Sequence, residues 1–418
     1  MPRRKAKEIP FSFSPFFSFG ATEKIKFLPH FDESRVDTKK GGMFSVFGFF
    51  ALAPFLMTSE QIRQILSAYP DGFQTAVVTP LFPSAALGRC RYWMVETDEG
   101  TFCLRRWPRE QTNIERLQFI QAVLWHAVYE GIETVPLPLE TRQQKGIVPF
   151  DGSFWELLPW IDDAAETSNE FSPFETEENE WENYIEKPFQ IVAAMVALAQ
   201  FHEATVNFPL PDPPQSLSPG INERLSCCRT WTSERLATLQ GTLEKIRCLP
   251  QNDEESRLVQ IGLEYLRLIA PLSVTNVLLL SQAVRLPVHV QPVIRNACLR
   301  HLRFDKDGVC GMIDFTEIGV DTVAVDVATL LGSLACEDAA IWDFGLKAYQ
   351  AFRPLSDNER FLTNAFDASQ MFLEGIGYLD AVFLKEEPFT AIQLTEIQRR
   401  LERLILRLRH SNRHRRSA

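Results

Sequence analysis

Hydrophobic and polar positions change their period along the chain, and the change separates a strand-rich part from a helical part. Residues 76–81, 91–97 and 101–107 alternate or run apolar as β-strands do, with a turn at Asp98-Glu99-Gly100 between the last two. From residue 190 onward, apolar positions recur at helical spacing, in segments 191–202, 232–247, 254–268 and 339–405. The pattern therefore predicts a small β-rich region at residues 73–160 followed by a larger helical region.

A β-hairpin pattern interrupts the helical part. Residues 301–304 are strand-like, an Asp-Lys-Asp-Gly turn follows, and a second apolar strand ends in Ile313-Asp314-Phe315. An Asp between two apolar neighbours is costly to bury unpaired, and a divalent cation is a common partner for it. We therefore expect Asp314 to be a divalent-cation ligand. A second carboxylate, Asp326, lies at the start of the apolar helix that follows.

The two ends of the chain differ in composition from the rest. Residues 1–42 mix basic residues with Phe, Ser and Pro, and residues 43–56 form an apolar run that is shorter than the roughly 20 residues needed to span a bilayer. We expect residues 1–56 to be a disordered extension or a mis-called start. A helix with a good N-cap begins after Thr58. Residues 406–418 are expected to form a basic tail.

Composition narrows the class of protein without indicating an activity. The 418 residues can hold two lobes, and a content of 45% hydrophobic and 23% charged residues is that of an ordinary globular protein. The net charge of −11 argues against nucleic acid as a partner. Eight Cys without a C-x-x-C pair indicate reduced thiols. We expect a cytoplasmic protein with no nucleic-acid partner and no membrane segment; the oligomeric state is left open.

The hairpin with Ile313-Asp314-Phe315, followed by the helix that opens at Ala324-Val325-Asp326, resembles the C-lobe signature of the aminoglycoside phosphotransferase and choline kinase-like family. The resemblance covers about residues 73–334. It implies an α+β, two-lobed protein-kinase-like fold, with a β-rich N-lobe at 57–160 and a helical C-lobe with insertions at 161–405.

The same resemblance implies a small-molecule kinase. ATP or GTP would be the phosphate donor, Mg²⁺ or alternatively Mn²⁺ the metal ion, and a small-molecule alcohol the acceptor. In the family, the aspartate of the Ile-Asp-Phe element holds the metal ion against the nucleotide phosphates, a role that falls here to Asp314. Asp326 would support the catalytic loop.

The catalytic motif upstream of the hairpin departs from the family pattern, which is His-x-Asp, four residues and then Asn. In one register, His289-Val290-Gln291 with Asn296 keeps the His and the Asn. In the other, the tight hairpin places Asn296 at the base position, His301 at the metal-binding Asn position and Arg295 before the base. We expect the hairpin register, because a five-residue insertion would break the strand pairing. In either register, no carboxylate occupies the base position.

Two positions in the β-rich lobe match the family's phosphate-binding pair. Arg105 matches the strand cation that binds phosphate, and a guanidinium suits that role because it is always charged and forked. Glu115 matches the helix carboxylate that pairs with this cation. Arg106 and Arg109 compete with Arg105 for the pairing.

The remaining nucleotide-binding positions are less specific. Glu156 and Leu158 lie in the strand that leads to the family's adenine-binding hinge. Gly88 is the single glycine of the loop at residues 83–89, which corresponds to the loop that covers the phosphates, where backbone must approach phosphate closely.

Two functions follow. The chain is either a phosphotransferase that moves the γ-phosphate of ATP or GTP to a hydroxyl of a small molecule, or a pseudokinase-like module that binds nucleotide or only keeps the fold. Asn296 can orient a hydroxyl but cannot take up its proton, and loss of general-base help typically slows a reaction about 10²–10⁴-fold. We favour a slow kinase.

Overall fold

The computed structural model describes residues 57–81, 90–109, 112–162, 188–211, 215–249, 253–335, 338–387 and 389–417. The predicted extension at residues 1–56 and Gly88 lie outside these ranges. The described helices are α1 (Ser59–Leu66), α2 (Ile114–Tyr129), α3 (Pro188–Thr205), α4 (Pro219–Thr230), α5 (Ser233–Arg247), α6 (Asp253–Ile269), α7 (Leu272–Ala283), α8 (Ala324–Ala335), α9 (Ala339–Phe352), α10 (Asp357–Phe383) and α11 (Ala391–Ser417). The described strands are β1 (Val77–Leu81), β2 (Arg91–Thr97), β3 (Gly100–Arg106), β4 (Val148–Phe150), β5 (Ser153–Pro159), β6 (Gln215–Leu217), β7 (Pro287–His289), β8 (Gln291–Val293), β9 (Leu302–Asp305), β10 (Gly308–Met312) and β11 (Gly319–Asp321).

The first five strands form one antiparallel sheet in the order β1-β2-β3-β5-β4. Helix α1 covers this sheet, and its Ile65 joins Trp93, Leu104 and Trp155 in a small buried core. The side chain of Thr58 accepts a hydrogen bond from Gln61 N in a capping box, which confirms the predicted helix start. The predicted β-rich region is therefore a sheet with its own core.

A second, larger core joins α2 to the helical part of the chain. It includes Leu117 and Val123 of α2, Phe201 of α3, Phe366 of α10 and Leu401 of α11. Because α2 belongs to this second core, it contributes to the packing of the helices rather than to the small core under α1.

The predicted helices are present, with one difference in extent. Segments 191–202, 232–247 and 254–268 fall within α3, α5 and α6, whereas segment 339–405 is divided into three helices. The first break follows Phe352, where Pro354 cannot continue a helix and disfavours a helical Arg353. Helix α10 then starts with a capping box between Ser356 and Glu359.

The predicted hairpin is confirmed as β9 and β10, with Leu302 opposite Met312 and Asp305 opposite Gly308. A second pair, β8 with β11, places Val293 opposite Gly319. Each pair is linked to the other by two chain segments, residues 294–301 and 313–318. Because both ends of the two segments are tied by strand pairing, these segments lie side by side.

No single helix in the described ranges is both long and apolar enough to cross a membrane. Only the pair Glu255–Ile269 and Leu272–Ala283, bent by 55°, meets the length and composition criteria when its two arms are taken together. Tyr265 and Leu280 from these two arms belong to the larger buried core.

Candidate active site

Asp326, in the first turn of α8, holds the start of segment 294–301 through hydrogen bonds. The two carboxylate oxygens accept hydrogen bonds from the backbone N–H groups of Ile294 and Arg295, both at 2.6 Å. His202 Nε2 lies 3.1 Å from Oδ2 of the same carboxylate, and His202 Nδ1 lies 2.7 Å from the hydroxyl of Tyr349. Asp326 therefore fixes the backbone at the point where the candidate catalytic residues begin.

The buried partners of Asp326 define the tautomer of His202. An ionised carboxylate only accepts hydrogen bonds, so His202 donates from Nε2 and its Nδ1 accepts the Tyr349 hydroxyl proton. Burial lowers the pKa of His202, although the hydrogen bond and the charge of Asp326 act in the opposite direction. The imidazole is therefore neutral, and its two hydrogen bonds connect α3 to α8 and α9.

Arg295 has a left-handed backbone, with φ of 64°, which is uncommon for a residue with a side chain. Its guanidinium lies 2.6 Å from the carboxylate of Glu223 on α4 and 3.9 Å from that of Asp321. The next residue, Asn296, is half-buried, and its side-chain amide has no hydrogen bond to any of the described residues. The turn at Arg295 thus presents an amide with free donor and acceptor groups.

His301 lies between this loop and the carboxylate of Asp314. Its Nδ1 is 2.9 Å from the backbone oxygen of Asn296 and 3.2 Å from Cys298 Sγ, and its Nε2 is 3.4 Å from Asp314 Oδ2. Gln291, the base position in the alternative register, is buried in β8 and donates to the backbone oxygen of His202. Gln291 is thus hydrogen-bonded inside the protein, and His301 lies beside Asp314, which is the arrangement that the hairpin register predicts.

Asp314 also has a left-handed backbone, with φ of 60°, and its Oδ1 accepts a hydrogen bond of 2.7 Å from the Thr316 hydroxyl. Burial acts to raise the pKa of Asp314. His301, the Thr316 hydrogen bond, and the charges of Arg105 and Arg300 outweigh burial and hold that pKa below its usual range. The side chain of Asp314 is therefore ionised at neutral pH, and 27% of it remains exposed.

Arg105 lies on the other side of the site, in β3, and is paired with Glu156 of β5. Its Nε donates to Glu156 Oε1 at 2.6 Å, and the indole N–H of Trp107 donates to the same oxygen at 2.6 Å. Gln121 Nε2 lies 3.3 Å from the second carboxylate oxygen, and the guanidinium stacks on the Trp107 ring with 4.4 Å to its centroid. Both carboxylate oxygens of Glu156 therefore have partners, from the sheet side and from α2.

The predicted ion pair between Arg105 and Glu115 is wrong. Strands β3 and β5 are neighbours, and their register places Glu156 directly opposite Arg105, whereas Glu115 is exposed in the first turn of α2. The competing arginines have other partners, because Arg109 pairs with Asp151 and Arg106 Nε donates to Ser153. Leu158, two residues after Glu156, is half-buried opposite Cys103.

Arg105 and Asp314 are close enough for the charge of each to act on the pKa of the other. Both charges also act on the pKa values of Cys90, directly before β2, and of Tyr92 in β2. Burial is the main reason that the pKa of Cys90 rises to about 11, with Asp314 adding to the rise and Arg105 opposing it. The sheet and segment 313–318 therefore bring opposite charges to one region.

The donor atoms at Asp314 and His301 form a two-ligand set. In the described ranges, no group of three or more His, Cys, Asp and Glu side chains is arranged to hold a metal ion. Mg²⁺ in nucleotide sites commonly has only one or two protein carboxylates, with phosphates and waters completing its shell. Asp314 is a carboxylate of the kind that Mg²⁺ uses, whereas the His301 imidazole is a donor that transition-metal ions accept.

Sequence reasoning missed the roles of Thr316 and Tyr349, and it missed Glu156 as the partner of Arg105. The spacing of Thr316, two residues after Asp314, was an available signal, because a hydroxyl at that spacing can reach a carboxylate. Tyr349 carried no such local signal, since it contacts His202 from 147 residues away.

A model of the phosphotransferase enzyme family matches residues 82–355, well over half of the chain. The chain belongs to the phosphotransferase enzyme family. This phosphotransferase-family chain is similar in fold to an aminoglycoside phosphotransferase from Alicyclobacillus acidocaldarius subsp. acidocaldarius DSM 446, with a TM-score of 0.51, 14% identity, and coverage of 86% of this chain and 97% of that chain.

Two other solved structures share the fold of this family member. The amicoumacin kinase hAmiN, solved in complex with AMP-PNP, Ca²⁺ and Ami, has a TM-score of 0.53 and 12% identity over 84% of this chain and 93% of that chain. A microcompartment-associated aminopropanol kinase has a TM-score of 0.50 and 14% identity over 83% and 95%. No curated protein matches the chain. The α+β, two-lobed protein-kinase-like fold that the sequence predicts is confirmed.

Proposed function

We propose that the protein transfers the γ-phosphate of ATP or GTP to a hydroxyl group of a small molecule. The observation that supports this proposal is the side-by-side position of segments 294–301 and 313–318, which carry Asn296 and His301 and the ionised Asp314, with His301 Nε2 3.4 Å from Asp314 Oδ2. The acceptor is a small-molecule alcohol, in keeping with the family, and no nucleic acid takes part.

In this proposal, Asp314 and His301 hold Mg²⁺ or Mn²⁺, which neutralises charge on the nucleotide phosphates when it is bound. Arg105, held by Glu156, faces the phosphates from the sheet, and Leu158 lies beside the base. Gly88 belongs to the loop that covers the phosphates. Glu115 is exposed and does not pair with Arg105, so it is not part of this phosphate-binding pair.

Asn296 orients the acceptor hydroxyl through its free amide, and Arg295 and Asp326 fix its position. An amide cannot take up the hydroxyl proton, so the proton leaves to solvent or to phosphate. Phosphoryl transfer depends mainly on positioning and charge neutralisation, and therefore it continues without a base at a rate lower by about 10²–10⁴-fold.

The domain division of residues 57–160 and 161–405 is part of the same proposal, with the nucleotide between the two. We also place the reaction in the cytoplasm, which is reducing and supplies nucleotide triphosphates. All seven cysteines in the described ranges are free thiols, which is consistent with that compartment.

A thermal-shift experiment with ATP and GTP, each with and without Mg²⁺ or Mn²⁺, tests the binding half of the proposal. At a hundredfold excess over Kd, a ligand stabilises the native state by about 2.7 kcal/mol. We expect a metal-dependent rise in Tm with at least one nucleotide in the wild type and in Asp343→Asn, an exposed control on α9. Asp314→Asn should lose the metal-dependent part.

The transfer half is tested with radiolabelled γ-phosphate and a panel of small alcohols. Slow labelling of an alcohol, absent in Asp314→Asn, is the expected result. Nucleotide binding without labelling of any alcohol would contradict the kinase proposal and leave a nucleotide-binding module. No Tm shift under any condition would contradict both.

A further inference from the structure

The hydrogen bonds of His301 determine which of its nitrogens is available to a ligand. Nδ1 lies 2.9 Å from the backbone oxygen of Asn296, and a carbonyl oxygen only accepts, so Nδ1 carries the proton. Cys298 Sγ, at 3.2 Å, lies on the same side of the ring. Nε2 is therefore the nitrogen that faces Asp314, and an ion that binds there displaces any proton from it and uses its lone pair.

The separation of Nε2 and Asp314 Oδ2 suits two ligands of one ion. Ligand atoms that each lie about 2.0–2.2 Å from an ion, at tetrahedral or octahedral angles, are about 3.0–3.5 Å apart. The observed separation is 3.4 Å. The backbone oxygen of Asn296 fixes the ring, and the Thr316 hydroxyl, 2.7 Å from Oδ1, fixes the carboxylate. Both donors are thus already oriented.

One neighbouring side chain has to move before an ion can bind. Arg300 Nε lies 3.2 Å from His301 Nε2 and donates to it. Arg300 is exposed, and its guanidinium can turn to solvent without leaving a buried group unpaired. The position of Nε2 itself does not depend on Arg300, since the Nδ1 hydrogen bond fixes the ring.

The chemistry of the donor pair favours a particular class of ion. Mg²⁺ takes oxygen ligands almost exclusively, whereas first-row transition-metal ions accept imidazole nitrogen along with carboxylate and phosphate oxygen. We propose that His301 is a direct metal ligand through Nε2 and that the Asp314–His301 pair selects a first-row transition-metal ion such as Mn²⁺ over Mg²⁺. This inference rests on the proposed nucleotide site.

The test measures binding rather than turnover. Mn²⁺ or Mg²⁺ is titrated by calorimetry onto the full-length protein in the presence of the non-hydrolysable ATP analogue adenylyl imidodiphosphate. We expect Mn²⁺ to bind at least about tenfold more tightly than Mg²⁺, at the lower end of what ligand environments at metal sites typically change. The electron paramagnetic resonance spectrum of bound Mn²⁺ should show coupling to an imidazole nitrogen.

Two variants make the result specific to His301. His301→Asn replaces the nitrogen ligand with an amide oxygen, and it should reduce the preference for Mn²⁺ about tenfold or more and remove the nitrogen coupling. His410→Asn, an exposed control on α11, should change neither. Thermal unfolding without ligand confirms that each variant is folded.

The outcomes separate this inference from the proposed function. If the analogue binds with either ion, but with equal affinity and without nitrogen coupling, the His301 inference is overturned and the nucleotide site stands. If the preference and the coupling persist in His301→Asn, another ligand provides them and the inference is again overturned. If neither ion changes analogue binding, both the inference and the proposed metal-nucleotide site fail.

Discussion

The two halves of the candidate site contain one charged pair each, and the pairs differ in solvent exposure and in how many hydrogen-bond partners they have. The Arg105 and Glu156 side chains are 4% and 2% exposed, and Glu156 accepts from Arg105, Trp107 and Gln121. The His301 and Asp314 side chains are 12% and 27% exposed and lie 3.4 Å apart. One pair is closed within the sheet, whereas the other is open to a ligand.

This difference separates the structural contribution of each pair from its functional one. Removing one partner of a buried ion pair leaves an uncompensated charge in the interior, so the closed pair is needed for stability and holds Arg105 in one orientation. The open pair contributes less to stability, because its groups remain partly hydrated. Its donor atoms are therefore available to bind an ion.

The largest effect should come from breaking the closed pair. Glu156→Ala leaves the Arg105 charge buried without a partner, and it should lower the free energy of unfolding by about 3–5 kcal/mol. Urea denaturation measures the change. The control is Glu115→Ala, an exposed position that should change stability by no more than about 0.5 kcal/mol. Equal effects of the two substitutions would contradict the assignment of Glu156 as the partner of Arg105.

A smaller effect, on rate, should come from restoring the missing base. Asn296→Asp is nearly isosteric, and it should raise turnover about a hundredfold on any accepted alcohol, which corresponds to about 2.7 kcal/mol in the barrier. Steady-state labelling assays measure it, with Asn207→Asp as an exposed control. An unchanged rate, with nucleotide binding intact, would mean that Asn296 does not lie against the acceptor hydroxyl.

The smallest effect is a pH dependence of stability caused by His202, the buried residue that contacts Asp326. Because burial lowers the pKa of His202, the folded state resists the proton that an unfolded His accepts below about pH 6.5. The contribution of His202 to the free energy of unfolding is therefore complete above that pH. It falls as the pH decreases toward the folded pKa of His202, by at most about 1.4 kcal/mol per pH unit. Denaturation midpoints from pH 7.5 to 5.5 measure it.

The variants for this prediction are His202→Asn and the exposed control His410→Asn. The first should show a flatter dependence of stability on pH than the wild type, whatever its absolute stability, and the second should follow the wild type. Parallel curves for all three proteins would mean that His202 is not the group that titrates.

The sequence predicts the elements that depend on local pattern. The hairpin β9–β10 follows from alternation and a polar turn, and Asp326 at the start of α8 follows from a charge in an apolar helix. The spacing from His301 to Asp314 favours the hairpin register, which stays a prediction. These features are local because strand period and turn chemistry act within a few residues.

The partner of Arg105 could not be predicted in the same way. Glu156 lies 51 residues along the chain, and the pairing depends on the order β3-β5 in the sheet, which no local pattern encodes. The family resemblance indicated a helix carboxylate instead. The left-handed backbone at Arg295 and Asp314 was also not predicted, because Arg rarely adopts that conformation and Asp, which adopts it more often, does so only where surrounding contacts impose it.

Hydrogen–deuterium exchange of the full chain, with and without ATP and Mn²⁺, tests most directly the claim that the open pair is the ligand site. Bound ligand should slow amide exchange in residues 294–301 and 313–318, because these segments carry the donor atoms. Peptides from β3 and β5 around Arg105 and Glu156 should change less, since their backbone amides are already hydrogen-bonded within the sheet. Binding of nucleotide without protection of either segment would contradict the account.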